Sequence, residues 1–174
     1  GRLVVTNTTG SAALWEAEYF DLNPHLYTPQ LDTASRESGL EMVSGNEFWR
    51  IEGPGGSTAR NTIRWDANSI LPAMSSDADR ENNLKMVEWI SANSRWEIVN
   101  PAIVTDGGIS SGTISSDNNL DMDGNHYFTF GTTETSPLPT AGFITTDTTI
   151  CDGSTITLRV QVTGNPDFEI EVDD

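Results

Sequence analysis

The sequence predicts an all-β protein built mainly from an antiparallel β-sandwich. Two observations carry this prediction. Short stretches rich in alternating, β-branched or aromatic residues recur along the chain, and clusters of Gly, Pro, Asn, Asp and Ser separate them. Strands of about four to eight residues between frequent turns are typical of a sandwich. We therefore expect very little helix.

Each predicted strand of the first sandwich rests on its own local pattern. One segment has a helical alternative, residues 79–90, but its apolar positions fit a strand better than a stripe with a period of 3.6 residues. The interior should contain Trp49, Ile63 and Trp65, with Met86 or Val87 and Phe128 or Phe130. In chain order, the predicted strands lie within residues 3–5, 13–20, 48–51, 62–65, 84–90, 96–99, 112–114 and 126–130.

The pattern changes near two prolines, Pro137 and Pro139. Such a pair favours an extended linker, because proline cannot pair as a central strand. We predict a β-sandwich module over residues 1–136, a linker over 137–141 and a partial domain over 142–174. The last segment offers about three strands, whereas an immunoglobulin-like sandwich needs about seven. It is therefore expected to be the start of an incomplete immunoglobulin-like domain.

Residues 154–162 of that last segment alternate cleanly. Ile156, Leu158, Val160 and Val162 share one face. Three strands bury such a face poorly. We expect it to be covered by another chain or by a continuation of the polypeptide, rather than by the first sandwich.

The composition is strongly acidic. Asp and Glu number 26 against nine Lys and Arg, which gives a formal net charge of −17. Nucleic acids and anionic membranes are poor partners for such a chain, because their phosphates attract the opposite charge. No run of about 18 apolar residues is present, so we expect no membrane insertion.

One acidic loop is a candidate cation site. Residues 117–125 carry carboxylates and amides at alternate positions, and calcium prefers several closely spaced oxygen ligands. Asp121, Asp123 and Asn125 are the predicted ligands, with Ca²⁺ as the candidate cofactor. The alternative is a solvated hairpin loop, since Asp, Asn and Gly are common in turns.

Catalytic patterns are not evident in the sequence. The carboxylate pairs Glu16 with Glu18 and Glu169 with Glu171 lie at period two, which indicates a solvated strand face rather than a glycosidase cleft. No nucleophile elbow, phosphate-binding loop or metalloprotease motif occurs. We therefore expect no enzymatic activity.

Several phrases resemble a β-sandwich module of exported Bacteroidota proteins, followed by the opening of a polycystic-kidney-disease-like or immunoglobulin-like repeat. These repeats occur in cell-surface adhesins of gliding bacteria and in proteins exported by type IX secretion. The resemblance rests on the segments 46–52, 64–69, 84–96, 110–114, 128–131, 137–139 and 149–158.

The resemblance implies a place and a role more than a reaction. It implies a non-catalytic structural or adhesive module of a large secreted or cell-surface protein, located on the bacterial outer surface. Neighbouring domains or chains of a surface assembly would be its partners. In such repeats an early cysteine pairs with one near the end of the domain, so the partner of Cys151 is expected beyond Asp174, a free buried thiol being the alternative.

The five tryptophans leave a second function open, a carbohydrate-binding module of a polysaccharide-degrading enzyme. Such a module would stack sugars on exposed, coplanar aromatic rings, whereas aromatic residues inside alternating strands belong to the core. We expect most of the tryptophans to be buried. Trp96 is the expected exception, because it follows a loop and stands at a strand end.

Overall fold

The computed structural model describes residues 2–134, except residues 11, 13, 67–68, 70–81 and 109–110, together with the strands Thr140–Phe143 and Val160–Thr163. The chain divides into two compact units, Gly1–Glu134 and Thr135–Asp174. Among the described residues, none of the helices is long and apolar enough to cross a membrane.

Antiparallel strands make up most of the described structure. A short helix, α1 (Pro24–Tyr27), begins after Asn23, whose side chain accepts a hydrogen bond from the His25 N–H. The strands in chain order are β1 (Arg2–Asn7), β2 (Glu16–Phe20), β3 (Met42–Val43), β4 (Phe48–Gly53), β5 (Thr58–Trp65), β6 (Leu84–Ile90), β7 (Arg95–Ile98), β8 (Ala102–Gly108), β9 (Ser111–Ser116), β10 (Leu120–Asp121), β11 (Gly124–Thr132), β12 (Thr140–Phe143) and β13 (Val160–Thr163).

The first unit is a sandwich of two antiparallel sheets, as the sequence predicted. Sheet A has the order β1-β5-β9-β8, and β10 adds to β5. Sheet B has the order β2-β4-β11-β6-β7, and β3 adds to β11. Within the segment that has the helical alternative, Leu84–Ile90 form β6, which pairs with both β11 and β7. Residues 82–83 are helical, and residues 79–81 lie outside the described residues.

The inner faces of the two sheets enclose an aromatic core. Trp49 of sheet B meets the ring of Phe130 edge-on at 5.4 Å between ring centroids, and Trp65 of sheet A meets Phe130 edge-on at 6.0 Å. Ile63, Met86 and the three aromatic residues are fully buried. The predicted core is therefore confirmed, and Phe128 and Val87 are buried as well.

Sheet B is covered on its outer face too. The segment from α1 to β3 supplies Leu31, Leu40 and Val43, which pack with Val87, Trp89 and Trp96 in a second buried cluster. The same segment follows the edge of β7, where Glu37 N–H donates to the Trp96 carbonyl and Trp96 N–H donates to the Ser35 carbonyl, each at 2.9 Å. We call residues 24–43 the outer layer. It covers an open strand edge, which would otherwise invite pairing with another chain.

The second unit is described only in its β12–β13 pair. The two strands are antiparallel, with Thr140 opposite Thr163 and Phe143 opposite Val160. The predicted apolar face at Ile156, Leu158, Val160 and Val162 lies outside the residues whose side chains are described, as does Cys151. The immunoglobulin-like character of this unit and its predicted boundaries stay predictions.

Candidate functional site

The loop predicted to bind a cation, residues 117–125, includes β10, the turn after it and the start of β11. Asp121, Asp123 and Asn125 are all exposed there, and the Asp121 Oδ1 atom accepts a hydrogen bond from the Asp123 N–H at 3.2 Å. Within the described part of the chain, no three His, Cys, Asp or Glu side chains converge into a group that could hold a metal. Calcium binding by these three residues stays a prediction.

The tryptophans are mostly interior, as expected, but Trp96 is a correction. It is 0% exposed, although it stands in β7 directly after the turn at residues 91–94. Its ring meets Trp89 at 5.7 Å between centroids and an angle of 71°. The outer layer covers both rings, and a sequence reading that treats residues 24–43 as connecting loop does not foresee that cover.

Two aromatic side chains are exposed among the described residues, and they belong to opposite faces of sheet B. Tyr19 is 39% exposed and lies opposite Trp49 in the register of β2 and β4, which puts it on the inner face. Tyr27 is 40% exposed and contacts the outer-face ring of Phe48. Beside it, the ring of Tyr127 is 6.2 Å away at an angle of 54°. These rings do not form one coplanar platform.

The most unusual polar residue of the first unit is Glu47, directly before β4. Its side chain is buried, with 2% of the residue exposed, and neither carboxylate oxygen has a hydrogen-bond partner of normal geometry. Glu47 lines a pocket of about 300 Å³ together with Asp21, Asn23, Gly45 and Asn46. Leu22 and Leu26 complete its wall.

The backbone around this pocket is held firmly. The Glu47 carbonyl accepts a hydrogen bond from the buried Thr129 hydroxyl at 2.6 Å, which ties the end of the pocket to β11. Asn23 is fixed as the N-cap of α1. A Cβ atom at Gly45 would lie 2.8 Å from the Asn23 Nδ2 atom, so a larger residue at position 45 would require the Asn23 side chain to shift.

The electrostatics of the pocket are those of an acid that is only partly compensated. Burial raises the pKa of Glu47, and the hydroxyls of Ser69 and Tyr19 and the charge of the amino terminus offset this only in part. Burial, together with the charge of Glu47, raises the pKa of Tyr19 to about 12. A carboxylate withdrawn from water without a cationic partner is costly, so this pocket favours a proton or a bound cation.

A second polar pair lies at the other end of the inner face. The His126 Nδ1 atom is 2.6 Å from the Glu88 Oε1 atom, and His126 Nε2 is 3.3 Å from the Asp123 carbonyl oxygen. The side chains of His126 and Glu88 are 18% and 12% exposed. The pair connects β11 to β6 and anchors the start of β11 beside the β10–β11 turn.

No protein-family model, curated protein or solved structure matches this chain. The pocket at Glu47 therefore has to be interpreted from its own chemistry. It offers two carboxylates, two side-chain amides and backbone carbonyls, which are oxygen ligands for a hard cation or acceptors for hydrogen-bond donors.

Sequence reasoning missed Glu47, although a signal for it exists. In a strand, residues two apart share a face, so Glu47 has the same parity as Trp49 and Ile51, both fully buried. A glutamate that directly precedes a strand and shares the face of its core residues needs a partner for its buried charge. Gly45 and Asn46, which precede Glu47, are residue types common in turns, so the alternation predicts a strand that begins only at Phe48.

Proposed function

We propose that this chain is a non-catalytic structural or adhesive module of a large secreted or cell-surface multidomain protein. The observation that carries the proposal is the arrangement of two separate compact β units in series along one chain, Gly1–Glu134 and Thr135–Asp174. Strings of small β domains joined in this way serve as spacers and as display units, because each domain keeps its own core.

The packing of the first unit supports the same role. Its aromatic residues form a buried core between the sheets and a second cluster beneath the outer layer. The edge of β7 is covered, which protects the sandwich from unintended strand pairing. The net charge of −17 keeps such a module soluble at high local density.

The sequence resemblance adds a location to this proposal. It favours the outer surface of a bacterium, with export by type IX secretion and a role beside adhesins of the gliding type. Its partners would be neighbouring domains or chains of the same surface assembly.

Surface labelling tests the proposal directly. Antibodies raised against the purified chain should label intact cells of the bacterium that makes it, and proteinase K applied to intact cells should remove the label. A cytoplasmic protein of the same bacterium serves as the control and should be labelled only after permeabilisation. Labelling of this chain only in permeabilised cells would contradict the proposal.

The second candidate, carbohydrate binding, rests on one observation. Tyr27 is exposed beside Phe20 and Tyr127, with the Phe20 ring at 4.7 Å and the Tyr127 ring at 6.2 Å between centroids. Affinity electrophoresis in gels containing bacterial and plant polysaccharides separates the two functions. A structural module migrates equally in all gels, whereas a sugar-binding module is retarded by one polysaccharide and Tyr27→Ala abolishes the retardation.

A further inference from the structure

The pocket beside Glu47 combines a buried acid with an open route to solvent. Asp21 and Asn46 are exposed, whereas Glu47 is 2% exposed, so the pocket leads from water to a carboxylate that water does not reach. Both oxygens of that carboxylate lack a hydrogen-bond partner of normal geometry. A buried charged group in proteins is almost always paired or coordinated.

The described residues that line the pocket supply no cationic side chain. They are acidic, amide-bearing, apolar or glycine, and none is Lys, Arg or His. Ser69 and Tyr19, which lie near Glu47, bear neutral hydroxyl groups, and Asp66 adds a negative charge. The positive charge of the amino terminus lowers the pKa of Glu47 but does not cancel the effect of burial. No side chain of the described lining supplies a further positive charge, whereas a bound cation would.

Two short segments provide the oxygen atoms. Asp21 and Asn23 come from the segment that leads from β2 to α1, and Asn46 and Glu47 come from the segment that leads into β4. In each segment a carboxylate and an amide lie within three residues, and backbone carbonyls lie between or beside them. Gly45 leaves room for the Asn23 side chain, whose Nδ2 atom would lie 2.8 Å from a Cβ atom at position 45.

We propose that this pocket binds a calcium ion through the carboxylates of Glu47 and Asp21, with the remaining ligands drawn from Asn46, backbone carbonyls and water. Calcium accepts six to eight oxygen ligands in flexible geometry, which suits a set of mixed carboxylate and carbonyl donors. Zinc sites are usually built with His or Cys ligands, which the described lining does not supply, and magnesium requires a stricter octahedral arrangement.

The affinity should be modest. Only two carboxylates contribute, in keeping with the finding that no three acidic, His or Cys side chains of the described residues form a metal-binding group. Sites of low ligand charge in extracellular modules bind calcium with a Kd of about 10⁻⁴ to 10⁻³ M. Calcium in that range is a property of the medium outside cells rather than of the cytoplasm.

Nuclear magnetic resonance of the full ¹⁵N-labelled chain, titrated with CaCl₂ alone, can measure such an affinity and locate the site. We expect saturable shifts of the amide signals of residues 21–23 and 45–47. Glu47→Gln, which keeps the shape and removes the charge, should weaken binding at least tenfold. Asp21→Asn should weaken binding as well and serves as a second variant if Glu47→Gln fails to fold.

Asp123→Asn is the matched control, because it removes one carboxylate from the other acidic loop. It should leave the affinity and the shifts at residues 45–47 unchanged. Loss of binding in Asp123→Asn with normal binding in Glu47→Gln would overturn the proposal and move the site to the β10–β11 turn. Absence of saturable shifts at 20 mM CaCl₂, about twentyfold above the weakest expected Kd, would also overturn it.

Thermal unfolding without calcium provides an independent readout. Burial of the Glu47 carboxylate without a hydrogen-bond partner of normal geometry is costly, so removing its charge should not destabilise the chain. Glu47→Gln should therefore unfold at the same or a higher temperature than the wild type at pH 7 without calcium, and in 150 mM NaCl calcium should raise the melting temperature of the wild type more than that of the variant. Equal gains in both proteins would contradict the proposal.

Discussion

At the scale of single residues, the pairing of His126 with Glu88 makes stability depend on pH. Burial lowers the pKa of His126, but the hydrogen bond and the charge of Glu88 outweigh burial, so the pKa is raised overall. A histidine whose pKa is raised by folding contributes stability that is fully present below its unfolded pKa, about 6.5. That contribution disappears as the pH rises through the folded pKa.

We therefore predict that the free energy of unfolding falls from pH 6 towards pH 8, and that Glu88→Gln reduces this dependence. At pH 6 the variant should lose about 1 to 3 kcal/mol, the usual value of a hydrogen bond to a charged group. Urea unfolding at both pH values measures the two effects. Parallel pH profiles for the wild type and Glu88→Gln would show that the pair does not titrate as described.

Single residues also show how far sequence reasoning reaches. Strand parity placed Trp49, Ile63 and Trp65 in the core, because alternation alone decides which face of a half-buried strand is apolar. It could not place Trp96, whose cover comes from a segment more than fifty residues away without regular alternation. Glu47 lay within reach of the same parity rule, but its partner atoms depend on tertiary approach.

At the scale of elements, β11 is closely packed at Gly131. A Cβ atom there would lie 2.8 Å from both Leu40 Cδ1 and Val87 Cγ1 and 3.0 Å from the Met42 carbonyl oxygen. The glycine lets the outer layer rest directly on sheet B. Leu40 and Val87 belong to the second buried cluster, so the close approach joins two layers of the fold.

Gly131→Ala should therefore destabilise the protein by about 1 to 3 kcal/mol, the usual cost of an added methyl group in a filled core. Gly55→Ala is the matched control, because a Cβ atom at Gly55 would meet Asp123 Oδ1 at an ordinary 3.6 Å. Chemical unfolding of both variants measures the difference. A Gly131→Ala variant as stable as Gly55→Ala would mean that the outer layer can move away from β11 without loss of stability.

The sequence of β6 indicates that an outer layer covers sheet B. In this strand Leu84 and Met86 face the core between the sheets, while Val87 and Trp89 belong to the outer cluster. Apolar residues on both faces of a strand in an antiparallel sheet indicate that both faces are covered. The strand therefore predicts a cover, but not which segment supplies it, because residues 24–43 carry no strong pattern of their own.

At the scale of the whole molecule, the charge is large enough to affect folding. The net charge is −17, and its excess negative groups repel one another more strongly in the compact state than in the expanded chain. We predict that the melting temperature rises when NaCl is increased from about 10 mM to 150 mM, a range over which the screening length falls from about 30 to 8 Å. Calorimetry measures the rise, and sucrose of equal osmolality is the control. A constant melting temperature would contradict this expectation.

The division into two units predicts that residues 1–134 fold without the rest of the chain. In the described structure the strands of the first unit pair only with strands of that unit, and every residue of the two buried clusters belongs to it. A chain ending at Glu134 should show the same near-ultraviolet circular dichroism from its tryptophans and a cooperative melting transition. Loss of either property would mean that the first unit depends on the second.

The position of β11 affects how the protein folds during its synthesis. It is the last strand of the first unit along the chain, yet it lies between β4 and β6 in sheet B. A chain synthesised from its N-terminus holds β4 and β6 with one open edge each until residues 124–132 have been made. At about 5 to 20 residues per second, this interval lasts on the order of seconds. Long-range strand pairing of this kind forms slowly. The open edges of β4 and β6 would therefore need protection by chaperones or rapid export mainly during those seconds.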